Sequence, residues 1–370
     1  MFKVMTVVGT RPEIIKLSEV IRALDGAFEH TLVHTGQHYD YELSQVFFDD
    51  LGVRRPDIFL SDAPSRSAME AIAQIFVSFE RVLDVERPDA LLVYGDTNSC
   101  LCAYVAKRKR VPIFHMEAGN RCFDARVPEE INRKIIDHLA DVNMTITEHA
   151  RRNLMNEGFP SNFIFKVGSS MEQILRRHAA RIRASAATLD HALTPRDFIL
   201  LSIHREENVT RPDYMEVFHT ILRDIGDRFG VSKVLLSAHP RTRKALEAFS
   251  VPDNVLMTKP FGFLDYMRLQ QDALCVVSDS GTIMEESALC GFPAVTIRDA
   301  YERQEGMDAG VLVVCKWDAD VVFDAIRTVL GFDSSARVID YDGGNVAQKV
   351  VAIISSHIHI VRAKVYGTHA

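Results

Sequence analysis

The chain has 370 residues, 47% of them hydrophobic and 25% charged, a composition that excludes disorder, collagen-like repeats and coiled coil. Its 43 Lys and Arg stand against 50 Asp and Glu, a net charge of −7, so a nucleic acid is not expected as partner, although local Arg and Lys can still hold a small anion. At roughly 150 residues per domain, the length predicts two domains.

Short apolar runs alternate with helical patterns along the chain. The first series is Val4–Val8, Thr31–Thr35, Ala90–Tyr94, Val111–His115, Val142–Ile146 and Phe163–Val167, with apolar spacing near 3.6 between some of them, as in Met69–Leu83. A polar, Ala-rich stretch, Ala184–Asp190, follows, and then Phe198–Ile203, Lys233–Ala238, Val255–Thr258, Leu274–Ser278 and Ala294–Ile297. Strand, helix, strand in this order predicts parallel sheets covered on both faces. The expected fold is therefore α/β: two doubly wound domains, residues 1–185 and 186–345. The apolar tail predicts a helix over about 346–362 that can pack back on the first domain.

No apolar stretch is long enough to cross a membrane, and MFKVMTVVGT is not a signal peptide. Six Cys occur without a C-x-x-C pair. Cys275, Cys290 and Cys315 lie in apolar runs and read as buried thiols of a cytoplasmic protein, with no disulfide frame and no zinc site.

In open α/β sheets, ligands bind beyond the carboxyl ends of the strands, and the polar clusters fall there. Gly9-Thr10-Arg11-Pro12-Glu13, with Lys16, leaves a strand and opens a helix, where free N–H groups and two cations suit a phosphate. It is neither a Walker loop nor a dinucleotide fingerprint. Gly95-Asp96-Thr97 ends the third run; Asp96 can cap the next helix or face a ligand. His115-Met116-Glu117-Ala118-Gly119 puts His115 and Glu117 on one side of an extended segment. Glu129 and Glu130 follow Pro128 at a helix start, so Glu117, Glu129 and Glu130 are more carboxylates than capping needs. H-x-E without P-C-x-x-C disfavours zinc. In the second half, His204-Arg205-Glu206-Glu207-Asn208 follows a strand, and Ser278-Asp279-Ser280-Gly281-Thr282 leads into a helix carrying Glu285 and Glu286. Arg298, Glu302 and Arg303 come after the next strand. The set suggests a nucleotide-linked substrate, with phosphate held by the second domain and the reactive part facing the carboxylates.

GTRPEIIK (9–16), GDTNS (95–99), HMEAGNR (115–121), VPEEINRK (127–134), HREEN (204–208), SAHP (237–240), SDSG (278–281) and ER (302–303) occur in order. Together they resemble the non-hydrolysing UDP-N-acetylglucosamine 2-epimerases, over about residues 1–360. The resemblance implies a GT-B fold, two Rossmann-like domains with the active site in the cleft between them, usually as a homodimer. It implies interconversion of UDP-GlcNAc and UDP-ManNAc, by anti elimination of UDP to 2-acetamidoglucal and re-addition, with no cofactor and no metal. By motif it makes Asp96, Glu117, Glu129 and His204 catalytic. Arg11, Lys16, His204, Phe261, Ser280, Gly281 and Glu286 become UDP-sugar contacts, with Glu286 on the ribose. Tyr39-Asp40-Tyr41 depart from the family's run at a second, regulatory UDP-sugar site. Asn120–Asp124, Thr282 and Gln304 also depart, and look similar to a branch that epimerises UDP-2-acetamido-2,6-dideoxy-L-talose to UDP-N-acetyl-L-fucosamine. A GT-B glycosyltransferase using a UDP-sugar donor is the alternative from another class.

Overall fold

The computed structural model describes residues 1–36, 47–60, 67–333 and 335–368. Tyr39, Asp40 and Tyr41, and with them the regulatory-site comparison, lie outside the described residues. The chain divides into two compact units: Met1–Arg176 with Asp340–Ala370, and Arg177–Ile339.

Unit 1 holds a seven-stranded, wholly parallel sheet in the order β3-β2-β1-β4-β5-β6-β7. The strands are β1 (Lys3–Val8), β2 (Glu29–His34), β3 (Ile58–Phe59), β4 (Ala90–Tyr94), β5 (Ile113–Met116), β6 (Val142–Thr145) and β7 (Ile164–Lys166). Strand order reverses between β1 and β4, which places the ligand crevice of such a sheet at their carboxyl ends. One face carries Met5, Val7, Leu91, Val93 and Ile113, packed under Ile75, Phe79 and Leu83 of the helix Ala68–Glu86. That helix starts where the Ser67 hydroxyl accepts the Glu70 N–H, and it stops at Arg87, which turns left-handed at φ 47. The helix Val346–Lys364 packs on the helix Arg11–Ala27, and Arg362 pairs with Asp89. The terminal segment therefore returns to unit 1.

Unit 2 repeats the plan with a six-stranded parallel sheet, β10-β9-β8-β11-β12-β13. Its strands are β8 (Phe198–Ser202), β9 (Lys233–Ser237), β10 (Val255–Thr258), β11 (Cys275–Ser278), β12 (Ala294–Ile297) and β13 (Leu312–Cys315). Alternation decides which core each residue joins. Ile199, Leu201, Val234, Leu236 and Val277 face Phe218 and Phe323, whereas Phe198, Leu200, Leu235 and Val276 face Leu269 and Met284. Both faces are dry, so the strands are apolar throughout rather than alternating. Strand order reverses here between β8 and β11.

The unit boundaries fall at 176/177 and 339/340 rather than at 185 and 345. The Ala-rich stretch belongs to unit 2. It contains the helix Ala187–Asp190, with Ala187 and Thr188 buried and the Thr188 hydroxyl donating to Asp272 at 2.6 Å. Two strands, β3 and β13, go beyond the sequence expectation; the first has two residues, and the second, Leu-Val-Val-Cys, is short enough to pass for the flank of a helix.

Candidate active site

At the β1 end, Thr10 is extended (φ −133) and begins the helix Arg11–Ala27. Glu13 folds back on this turn: one carboxylate oxygen accepts the N–H of Gly9 at 2.5 Å and of Thr10 at 2.9 Å, and the other accepts the Thr97 hydroxyl. Gly9 has no room for a side chain, since a Cβ would lie 1.9 Å from the Ser99 Oγ. The first turn is thus knitted to the turn after β4. Burial is the dominant influence on Glu13 and pushes its carboxyl up to about 7, against those hydrogen bonds.

Arg11 lies 5.8 Å from the centroid of the Phe47 ring. Lys16 is withdrawn from solvent. Its ammonium lies 3.0 Å from Glu117 Oε2 and 5.8 Å from the centroid of the Tyr94 ring. The Tyr94 hydroxyl donates to the same Glu117 oxygen at 2.6 Å.

Tyr94 and Met116 are register partners at the ends of β4 and β5, so Asp96 and Glu117 leave adjacent strands. Gly95 turns at φ 71, and a Cβ on it would sit 3.9 Å from Glu117 Oε1. Glu117 is itself left-handed (φ 63), a conformation that costs a non-glycine residue about 1–2 kcal/mol. This breaks the alternation expected from His115 to Glu117. His115 stays buried in the strand against Asp137, at 2.9 Å, and Glu117 turns away to Lys16 and Tyr94.

Asp96 does not cap a helix. Its Oδ2 accepts the Arg133 guanidinium at 2.9 and 2.6 Å. Arg133 also donates to Glu130 at 2.6 Å, and Glu130 accepts the N–H groups of Cys122 and Phe123. Glu130, fully buried, is therefore the brace of the loop; burial opposes its charge, but these donors hold its carboxyl below the usual range. Glu129, its neighbour at the start of the helix Pro128–Leu139, is half-buried and has no side-chain partner among the described residues.

In unit 2 the strand ends at the β8/β11 reversal are joined by Asp279, a residue given no role from sequence. Its buried carboxylate accepts the N–H of His204 at 3.1 Å and of Arg205 at 2.9 Å, and the Asn208 side-chain amide at 2.9 Å. His204 Nδ1 lies 3.0 Å away, on a ring 42% exposed. Burial alone would raise the Asp279 carboxyl, but His204 and the N–H donors bring it down to about 2. Ser280 and Gly281 precede the helix Ile283–Cys290, and a Cβ on Gly281 would lie 3.2 Å from Glu302 Oε1. Arg298 pairs with Glu302 at 3.1 Å and Arg303 with the buried Glu285 at 3.0 Å. Ser280, Gly281, Thr296, Arg298, Tyr301 and Arg303 line a small cavity. Glu286 is nearly buried, its Oε2 accepting from Gln270 at 2.7 Å. Phe261 is partly buried, its ring 5.2 Å from His191.

Unit 1 thus gathers Asp96, Glu117 and Lys16, with Arg11 and Glu129 on the adjoining turns; unit 2 gathers His204, Ser280 and Gly281, with Glu286 one helical turn on. Tyr94, Arg133, Gln270 and Asp279 are the partners that motif reading passed over. All six cysteines are free thiols. No group of three metal-ligating side chains occurs among the described residues.

Two parallel, doubly wound units with polar clusters at their strand ends are the plan of a GT-B fold. A sequence model of the UDP-N-acetylglucosamine 2-epimerase family matches residues 22–355, and the chain belongs to that family of isomerases. It is similar to the solved UDP-N-acetylglucosamine 2-epimerase of Rickettsia bellii, with 45% identity, all of both chains covered and a TM-score of 0.92. The Methanocaldococcus jannaschii UDP-GlcNAc 2-epimerase, solved in complex with UDP-GlcNAc and UDP, matches with 30% identity, a TM-score of 0.89, and 95% of this chain and 99% of that one covered. The UDP-2,3-diacetamido-2,3-dideoxy-D-glucuronate 2-epimerase of Pseudomonas aeruginosa is 35% identical over 95% of this chain and 99% of its own length.

Proposed function

We propose that the protein interconverts UDP-N-acetylglucosamine and UDP-N-acetylmannosamine without hydrolysing them. The hydrogen on C2 has no carbonyl beside it, so direct deprotonation is very slow. Elimination avoids this. A base takes the C2 proton, the C–H electron pair becomes the C1–C2 double bond, and UDP leaves with the C1–O pair, giving 2-acetamidoglucal. A UDP oxygen then attacks C1 while C2 takes a proton on its other face. The route needs neither redox cofactor nor metal, but it needs proton-transfer groups for two faces of one carbon.

One observation carries the reading: Asp96 and Glu117 leave register-paired strands, each already held by a cation, Arg133 or Lys16. With Glu129 on the adjoining turn, they form the acid–base set. His204 stabilises the departing diphosphate; Asp279 holds its Nδ1, leaving Nε2 to face the ligand. Ser280 and Gly281 receive phosphate, Glu286 the ribose hydroxyls, Phe261 the base, and Arg11 the diphosphate. UDP-GlcNAc in the M. jannaschii relative supports this substrate; the P. aeruginosa relative, with a different hexosamine in its name, makes the sugar a question for experiment. We take the enzyme to be a cytoplasmic homodimer. Six free thiols suit a reducing compartment, and Met69, Val77 and Val85 expose apolar surface on the helix Ala68–Glu86 for a second copy to cover.

The test is incubation with UDP-GlcNAc in D₂O, followed by proton NMR, with the 6-deoxy-L-talo sugar run in parallel. Deuterium at C2 with UDP-ManNAc appearing is the expected result. No exchange with either sugar, despite tight UDP binding, would overturn the epimerase and favour a glycosyltransferase.

A further inference from the structure

His115 belongs to none of the steps above, yet its ring joins both carboxylate-bearing turns. It lies in β5 with 1% of its surface exposed. Nε2 is 2.8 Å from the carbonyl oxygen of Gly95, the residue before Asp96. Nδ1 is 2.9 Å from Asp137 Oδ1, on the helix Pro128–Leu139. The Asp137 carboxylate also accepts the Gly119 N–H at 3.1 Å, and Gly119 lies two residues beyond Glu117. Both ring nitrogens thus have an oxygen partner, one on each side of the ring. Arg121 donates to Asp137 at 2.6 Å and is paired in turn with Glu157, so the Asp137 carboxylate is held from a second side.

The backbone that this group grips is unusual. Gly95, Glu117 and Gly119 all have positive φ, at 71, 63 and 82°. Gly119 has to be glycine, because a Cβ there would lie 2.3 Å from the Ala150 carbonyl oxygen. Glu117 is anchored on both flanks by the same pair: through His115 on one side and through the Gly119 N–H on the other. The Asp96 turn hangs from that pair by a single carbonyl.

We propose that His115 and Asp137 are positioning residues for the epimerisation, holding the Gly95–Asp96 and Glu117–Gly119 turns in one register and so setting the separation of the two carboxylates. The proposal rests on the reading of Asp96 and Glu117 given above. It differs from a plain core role in what it moves: the proton steps at C2, and not the binding of UDP.

The test measures kcat, KM, UDP affinity and the isotope effect of C2-deuterated UDP-GlcNAc. His115→Asn keeps a donor towards Asp137 but no longer reaches Gly95. His115→Gln keeps the reach to Gly95, and Asp137→Asn weakens the grip on both turns at unchanged size. Expected for His115→Asn is a kcat lowered by about 10²-fold, a larger isotope effect and UDP affinity within about twofold of the parent. His115→Gln should recover part of the loss. Should the Asn variant not fold, the same split is read from His115→Gln and Asp137→Asn. An unchanged kcat, or one falling only in proportion to UDP-binding capacity, overturns the proposal. Should the parent fail to epimerise, or Glu117→Gln remain active, the reading of the site fails instead.

Discussion

The Lys16 ammonium lies 3.0 Å from the Glu117 carboxylate, and both side chains are withdrawn from water. A buried charge that loses its partner destabilises by several kcal/mol, while removing both together is often tolerated. Lys16→Met should therefore abolish turnover and cost about 3 kcal/mol of stability in urea unfolding. Adding Glu117→Gln should restore much of that stability and none of the turnover. Additive stability losses in the double variant would show that the pair is not coupled.

Asp96 and Glu117 are both held by cations, whereas Glu129 is not. Asp96→Asn, Glu117→Gln and Glu129→Gln should each lower kcat by about 10²–10⁴-fold, the usual worth of a positioned acid or base. UDP titration should be near normal in all three, since none of these carboxylates is among the residues proposed to hold the nucleotide. Asp96→Asn alone should also loosen the loop at Cys122–Phe123, because Arg133 links Asp96 to the Glu130 brace. Faster amide exchange at Cys122 and Phe123 in that variant, and not in Glu129→Gln, is the measurement.

Most of the strands can be read from their apolar runs because both faces of each sheet are buried, and a wholly apolar run between helical patterns has few other meanings. The turns are harder. Nothing in His-Met-Glu-Ala-Gly marks Glu117 as left-handed; that conformation is held by tertiary contacts, and it separates His115 from Glu117 where simple alternation joins them. Glu129 and Glu130 look alike in sequence. On a helix they lie about 100° apart, and this turns Glu130 into the loop at Cys122 and leaves Glu129 without a side-chain partner among the described residues. Asp279 sits among serines like any capping residue, and only the strand reversal at β8/β11 brings His204 onto it.

Glu286 makes a different kind of contact. Its carboxylate is nearly buried beside Gln270, so an acceptor there is already desolvated and oriented. Glu286→Ala should weaken UDP by about 10–100-fold, from the 1–3 kcal/mol that an unpaired buried polar group costs. It should change kcat little at saturating substrate. Unchanged UDP affinity by calorimetry would remove Glu286 from the nucleotide site.

Two buried carboxylates give stability opposite dependences on pH. Glu13 has its carboxyl raised to about 7 from the ordinary 4.5, so the folded chain binds a proton that the unfolded chain releases between those values. Stability should thus fall as pH rises from about 4.5 to 7, by about 3 kcal/mol at 1.36 kcal/mol per pH unit. Asp279, lowered to about 2 from 3.8, contributes stability above 3.8 that is lost as pH falls through 3.8 towards 2. Glu13→Gln keeps an acceptor for the Gly9 and Thr10 N–H groups and a donor for Thr97, and it should flatten the slope above pH 4.5 while leaving the acid limb untouched. Asp279→Asn should do the reverse. Urea unfolding followed from pH 3 to 8 distinguishes them, and a slope above pH 4.5 that survives Glu13→Gln would assign it to another group.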